Sequence, residues 1–262
     1  MNFENFLIEL YDRIENAETI SDIETVFNDL RSGLGFEYGL FTVVFPITFS
    51  KSQNISVGNY PSEWVEEYME SGYAKFDPVV EHCFSKHTPL VWDENTGKGN
   101  NVIEDFFRKA HDVGLRHGMS IGHKGYDGTF CLISLARKKP IDTSTKAYKK
   151  TVVALSSAIA SLQCKIVAAS GAKLIEDKIV DLTPREKQCL VWAADGKTSG
   201  EIAQILGVSE STVVFHIKNF IKKLDVTNRS QAVAKAVRMG LILTDYTNFP
   251  QYYFKDVDEL ET

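Results

Sequence analysis

Apolar residues recur every three to four positions along 3–16 (Phe3, Phe6, Leu7, Leu10, Ile14) and again along 20–33, which predicts two amphipathic helices closed by Gly33 and Gly35. The period then changes. GLFTVVFP, residues 39–46, is β-branched and aromatic and predicts a strand, with 54–58 as a second. Helical spacing returns over 61–73, with Pro61 in the first turn, and again after Asp77-Pro78. Pro89 opens a short edge strand over 89–92, and DENTGKGNN (93–101) is a polar loop. A helix over 102–113 stops at Gly114, and 117–124 pairs with 129–136 in a hairpin across Tyr126-Asp127-Gly128. A long helix, 144–168, follows. Helices around a run of about five strands predict an α+β fold, an α-β-α sandwich with an antiparallel sheet and helices on both faces.

From residue 182 the pattern is helical throughout. Thr183-Pro184-Arg185-Glu186 is a capping box with Pro at the first helical position, and its helix ends at Gly196. Thr198 and Glu201 form a second capping box, Gly207 supplies a left-handed stop, and Ser209 caps the next helix. That helix has two unlike faces. Val213, Ile217, Phe220, Ile221 and Leu224 point inward; Thr212, Val214, Phe215, Lys218, Asn219 and Lys222 are left on the outer side. A solvated face has no use for a phenylalanine ring. A DNA major groove does: Lys meets phosphate or guanine, Asn pairs with adenine, and Val and Phe touch thymine methyls. The pattern is a helix-turn-helix with its second helix as reader. After a turn over 225–228, a fourth helix runs over 229–239 to Gly240.

Charge sharpens the division. The whole chain of 262 residues carries a formal net charge of −6, which argues against nucleic acid until it is resolved along the sequence. Residues 182–243 hold nine Lys and Arg against five Asp and Glu, a net +4, whereas 244–262 is −4 and 1–181 is −6. The expected organisation is therefore a sandwich domain over 1–169, a linker over 170–181, a four-helix DNA-binding domain over 182–243, and an acidic aromatic tail over 244–262. The sequence does not decide whether that tail docks on the body. Cys83, Cys131, Cys164 and Cys189 are scattered and read as buried thiols of a reducing compartment, neither disulfides nor metal ligands. The N-terminus lacks a basic export region and no apolar run reads as a membrane span, so the expected location is the cytoplasm, with no membrane partner.

Residues 182–242 resemble the C-terminal domain of LuxR-type regulators: LTPREKQCL…GKTSGEIAQILGVSESTVVFHIKNFIKKL…NRSQAVAKA…GLI. Residues 59–92, NYPSEWVEEYMESGYAKFDPVVEHCFSKHTPLVW, resemble the autoinducer-binding domain of quorum-sensing receptors of the LasR-like group. Its pattern of Tyr, Trp four residues on, Asp-Pro, and a second Trp falls on Tyr60, Trp64, Asp77-Pro78 and Trp92. The resemblance implies that the Trp64 indole N–H donates to a lactone carbonyl, that Asp77 accepts the ligand amide N–H, and that Tyr60 donates to the amide carbonyl. It also implies that Trp92 packs on the lactone ring, that the Ser134 hydroxyl reaches the amide carbonyl, and that Gly118 is a small residue at the ring end. Val79, beside Asp77, completes the candidate ligand set.

The residues themselves support a similar reading. Tyr60 and Trp64, at i and i+4, share one helix face. An N-acyl homoserine lactone head presents one N–H and two carbonyls, which one buried acceptor, two donors and an aromatic wall complement. Each buried bond left unmade costs about 1–3 kcal/mol. Spacing alone leaves a second reading open, an aromatic core cluster in which Asp77 merely caps a helix. The apolar face of 144–168 reads equally as core and as a dimer seam.

His111, His117 and His123 recur every six residues, which suits no metal face, and Ser134 has no evident base. The expected protein is thus not an enzyme and needs no cofactor. It is a cytoplasmic, lactone-responsive transcription factor that binds a palindromic double-stranded DNA site as a homodimer, with RNA polymerase a further candidate partner. The competing expectation is a LuxR-type regulator that is ligand-independent or senses another small molecule.

Overall fold

The computed structural model describes residues 2–48, 51–125, 128–170 and 180–242. Residues 126 and 127 of the expected hairpin turn, 171–179 of the expected linker and the whole expected tail, 244–262, lie outside them. The chain forms two compact units that divide between residues 178 and 179.

In the first unit, α1 (Phe3–Asn16) and α2 (Ile20–Gly33) precede β1 (Tyr38–Thr48) and β2 (Lys51–Gly58). Then come α3 (Ser62–Glu70), α4 (Pro78–Ser85), β3 (Leu90–Trp92) and α5 (Asn101–Asp112). The hairpin β4 (His117–Lys124) and β5 (Phe130–Arg137) and the long α6 (Lys146–Ala169) complete it. The five strands form one sheet in the order β2-β1-β5-β4-β3, and every neighbouring pair is antiparallel.

The two-residue period of the strands sorts their side chains between two cores. Phe41, Val43 and Phe45 of β1, Met119 and Ile121 of β4, and Cys131, Ile133 and Leu135 of β5 pack with α1, α2 and α6. The alternate positions, Gly118, Ser120 and Gly122 on β4 and Leu132, Ser134 and Ala136 on β5, face the side of α3, α4 and α5. A separate aromatic cluster fills that side. Small residues there leave room. A Cβ on Gly118 would lie 1.9 Å from the Trp92 ring, and one on Gly122 would lie 2.3 Å from the Cys83 carbonyl oxygen.

The helix expected over 61–73 is shorter. It ends at Glu70; Gly72 turns left-handed (φ 63°), and Tyr73–Lys75 forms one 3₁₀ turn. A left-handed residue, cheap only for glycine, breaks the helix and carries Tyr73 into the core, where it is buried. A second correction concerns hydropathy. α6 contains an 18-residue window of mean hydropathy 1.7, long and apolar enough by composition to cross a membrane. Its Ala154, Leu155, Ala158, Ile159, Leu162 and Ile166 are core residues packed with the sheet. A third concerns the thiols: Cys83, Cys131 and Cys189 are buried, but Cys164 on α6 is exposed.

The second unit contains α7 (Pro184–Ala194), α8 (Ser199–Leu206), α9 (Glu210–Lys223) and α10 (Arg229–Arg238) around their own core. Both expected capping boxes are formed, Thr183 with Glu186 and Thr198 with Glu201. Gly207 is left-handed at φ 66°, and the Ser209 side chain accepts from the Thr212 N–H. Glu186 does more than its box requires. Only 3% exposed, its carboxylate accepts from the Thr183 N–H at 2.8 Å and from Lys223 Nζ at 2.7 Å, tying α7 to α9. Burial pushes its carboxyl up, but the Lys223 ammonium and the Thr183 N–H outweigh burial and hold it below the ordinary glutamate value.

Candidate functional site

On the α3–α5 side of the first unit, four polar side chains join in a chain across the sheet. Trp92 Nε1–H donates to Ser120 Oγ at 2.8 Å. Ser120 Oγ and Ser134 Oγ, directly opposite on β4 and β5, share one bond of 2.8 Å. The Tyr60 hydroxyl donates to Ser134 Oγ at 3.0 Å. These groups carry four donor protons and make three bonds. One serine proton is therefore left for an acceptor that the described residues do not supply. Burial, ahead of any other cause, raises the Tyr60 phenol above its ordinary value, so Tyr60 stays a donor.

Asp77 lies beside this chain and is 7% exposed. It caps α4, its Oδ1 accepting the Val79 N–H at 2.8 Å, as the capping reading expects. Its Oδ2 does something further and accepts the Tyr68 hydroxyl at 2.9 Å. Burial raises the Asp77 carboxyl above the ordinary value, opposed by the Tyr68 hydroxyl and the Val79 N–H. Oδ2 keeps a second lone pair for another donor.

The surroundings are aromatic. Trp64, 4% exposed, lies 5.3 Å from Phe106, 5.8 Å from Tyr73 and 6.2 Å from Tyr68, centroid to centroid. No hydrogen bond among the described residues uses its indole N–H. Trp92 packs on Phe107 at 6.0 Å, and its indole lies flush on Gly118. Val79 is buried in the same cluster. The seven residues singled out in the sequence, Tyr60, Trp64, Asp77, Val79, Trp92, Gly118 and Ser134, thus meet in one place, drawn from α3 and its approach, α4, β3, β4 and β5. Sequence reasoning missed Tyr68, Tyr73, Phe106, Phe107 and Ser120. Tyr68 was within reach, since it lies one turn beyond Trp64 on α3; Tyr60 precedes the helix, whose N-cap is Pro61, so it does not share the helix face expected for it with Trp64. Ser120 was not, because only strand register sets it opposite Ser134. At the rim, Lys109 Nζ on α5 binds Glu67 on α3 at 2.7 Å and the Tyr73 hydroxyl at 3.0 Å.

In the second unit, Val213, Ile217, Phe220 and Leu224 are buried, and Ile221 packs against their core. Phe215 stands 60% exposed. Lys218 and Lys222 are exposed, while Val214 and Asn219 are half-buried. Glu210, Ser211, Val214, Phe215 and Lys218 line an open depression on this face. Thr212, also half-buried, has its hydroxyl 2.7 Å from Ser209 Oγ, so it belongs to the helix cap as well as to the outer side.

Comparison with known proteins agrees with this division. Residues 19–162 match the family model described as autoinducer binding domain, and residues 180–236 match the one described as bacterial regulatory proteins, luxR family. The chain belongs to the LuxR family of transcriptional regulators. Similar LuxR-family relatives include the transcriptional activator AnoR of Acinetobacter nosocomialis, 36% identical over 219 residues that cover 83% of this chain and 90% of that protein. VanR of Vibrio anguillarum, also a transcriptional activator, is 37% identical over 232 residues, 87% of this chain and 95% of that protein. A solved structure of SdiA in complex with octanoyl-rac-glycerol is 25% identical with a TM-score of 0.74, covering 92% of this chain and 97% of that one. As in the LuxR family generally, the first unit is an autoinducer-binding domain and the second a DNA-binding helix-turn-helix. Its small-molecule partner is therefore a ligand rather than a cofactor.

Proposed function

We propose that this protein senses an N-acyl homoserine lactone in the aromatic cluster of the first unit and binds a palindromic DNA site as a dimer, reading it with α9. The observation that carries the ligand reading is the surplus of hydrogen-bonding capacity around one aromatic cluster. The Ser120–Ser134 pair has a spare proton, Trp64 has an unused N–H, and Asp77 Oδ2 has an open lone pair. An acyl homoserine lactone head offers the complement: two carbonyl oxygens and one amide N–H. Trp92 and Gly118 supply a flat wall for the ring, and Tyr60, by donating to Ser134 Oγ, leaves the spare serine proton to reach the amide carbonyl. An acyl tail adds about 0.8 kcal/mol per buried CH₂, so chain length dominates affinity once the head is seated.

The complex of SdiA with octanoyl-rac-glycerol favours a second reading, an acylglycerol ligand. Its ester carbonyl takes the serine proton, and a glycerol hydroxyl, in place of an amide N–H, donates to Asp77. Thermal melting of the full chain against a panel of lactones and monoacylglycerols separates the two. The lactone reading expects a large upward shift with lactones, near 2.7 kcal/mol of added stability at about a hundredfold excess over Kd. A shift only with acylglycerols replaces it, and no shift with either rejects both. For the DNA reading, a Phe215→Ala, Lys218→Ala double variant is expected to lose operator binding in a gel shift while its melting temperature holds. Full-strength binding would show that α9 does not read the site.

A further inference from the structure

The outer face of α9 has an unusual composition for a surface left to water. Phe215 is 60% exposed beside Val214, and no ion pair among the described residues uses Lys218 or Lys222. Any occupant of this face must be anionic and must also offer flat apolar surface. Residues 244–262, TDYTNFPQYYFKDVDELET, have that composition. They carry five acids against one lysine and five aromatic rings: Tyr246, Phe249, Tyr252, Tyr253 and Phe254. Their net −4 balances the net +4 of residues 182–243, to which they are joined directly.

We infer that the segment 244–262 docks on the exposed face of α9, its carboxylates against Lys218 and Lys222 and its rings against Phe215, and competes there with DNA. The competition rests on α9 being the DNA-reading helix; the docking does not. Reach is no obstacle. Nineteen residues span up to about 60 Å when extended, whereas a unit of 60-odd residues has a radius of gyration of about 11 Å. Weak affinity suffices because the contact is intramolecular. If the segment matches the weak end of non-specific DNA binding, about 10⁻⁴ M, a local concentration of about 1 mM keeps the face about nine-tenths occupied. DNA binding is then weakened about tenfold. The effect lowers specific and non-specific binding together.

The test uses the full chain and two readouts. Zero-length carbodiimide coupling followed by peptide mass spectrometry, without DNA, reads docking directly. The expected products join Lys218 or Lys222 to Asp245, Asp256, Asp258, Glu259 or Glu261 within one chain, and they disappear when a 30-base-pair duplex is added. In parallel, a full-length variant with Asp245, Asp256 and Asp258→Asn and Glu259 and Glu261→Gln should bind that duplex about tenfold more tightly at low salt. The gain should shrink as salt rises. Tighter binding without the intrachain products would mean long-range repulsion and would overturn docking. Products only between isotopically distinct copies would assign the face to a second chain and overturn it too. Intrachain products with unchanged DNA affinity would leave the docking standing but overturn the competition. Failure of the DNA reading of α9 shows separately, as full DNA binding by the Phe215→Ala, Lys218→Ala variant.

Discussion

Asp77 and Glu186 are both buried carboxylates at helix N-termini, and their surroundings drive them apart. Burial dominates at Asp77 and raises its carboxyl; at Glu186 the Lys223 ammonium and the Thr183 N–H overcome burial and lower it. One difference is a cation, and another is that burial weighs more heavily on the Asp77 carboxyl. Lys223→Met removes that cation and leaves Glu186 held by Thr183 alone. Stability should fall by about 1–3 kcal/mol, and the second unit should melt about 4–8 °C lower per kcal/mol lost. Calorimetry on the full chain should find the first unit unmoved; an unchanged second transition would mean that the pair contributes nothing. At Asp77, the Asn replacement keeps the shape but turns one carboxylate oxygen into a donor, so a ligand N–H loses a charge-assisted acceptor. The lactone-induced melting shift of Asp77→Asn should shrink sharply. Equal shifts in variant and wild type would remove Asp77 from the ligand set.

Among elements, the three-strand corner of β3, β4 and β5 sets the shape of the ligand side. Trp92 pairs with Gly118, and Gly118 in turn with Ala136. The indole can lie flat on β4 only because position 118 has no side chain. Gly118→Ala places a methyl within 1.9–2.5 Å of the ring carbons. The indole must tilt, and its bond to Ser120 loosens with it. Overpacking of this kind costs about 1–3 kcal/mol. Loss of the lactone-induced shift should accompany the loss of stability. A variant that keeps the full shift would show that Trp92 does not need the sheet's flat surface. The break between α3 and α4 works similarly. Gly72 ends α3 early, so Tyr73 turns inward and closes the cluster against Phe106 at 5.2 Å.

Over the whole molecule, the two units should answer pH in opposite senses. Asp77 has a folded-state pKa above its unfolded value of about 3.9. Its contribution is fully present below that value and is lost as pH rises through the folded pKa. Glu186 has a folded pKa below the unfolded value of about 4.3; its contribution is present above that value and is lost as pH falls through the folded pKa. Acidification from neutrality should therefore first favour the ligand-free first unit as Asp77 protonates, and at lower pH weaken the second. Ligand acts against the first effect, because an N–H donor needs the carboxylate ionised; lactone affinity should drop as pH falls through the Asp77 pKa. Two resolved calorimetric transitions, followed from pH 7 down to about pH 3 with and without lactone, check all three signs. Parallel movement of both transitions would contradict them.

The second unit was legible almost residue by residue. Capping boxes, glycine stops and a 3.6-residue apolar face are local signals, so Thr183, Thr198, Gly207 and Ser209 show in sequence what they do in the fold. The sheet was legible as strands, and the family resemblance pointed to Tyr60, Trp64, Asp77, Trp92 and Ser134. Their partners were not legible. Ser120 faces Ser134 through strand register, Tyr73 reaches Trp64 through a left-handed glycine, and Lys223 reaches Glu186 across 37 residues of chain. Hydrophobic period and capping depend on neighbours within a turn or two of chain, and sequence alone determines them. Which proton is spare, which carboxyl is raised and which cation is paired depend on groups brought together from distant elements, and only the tertiary structure decides them.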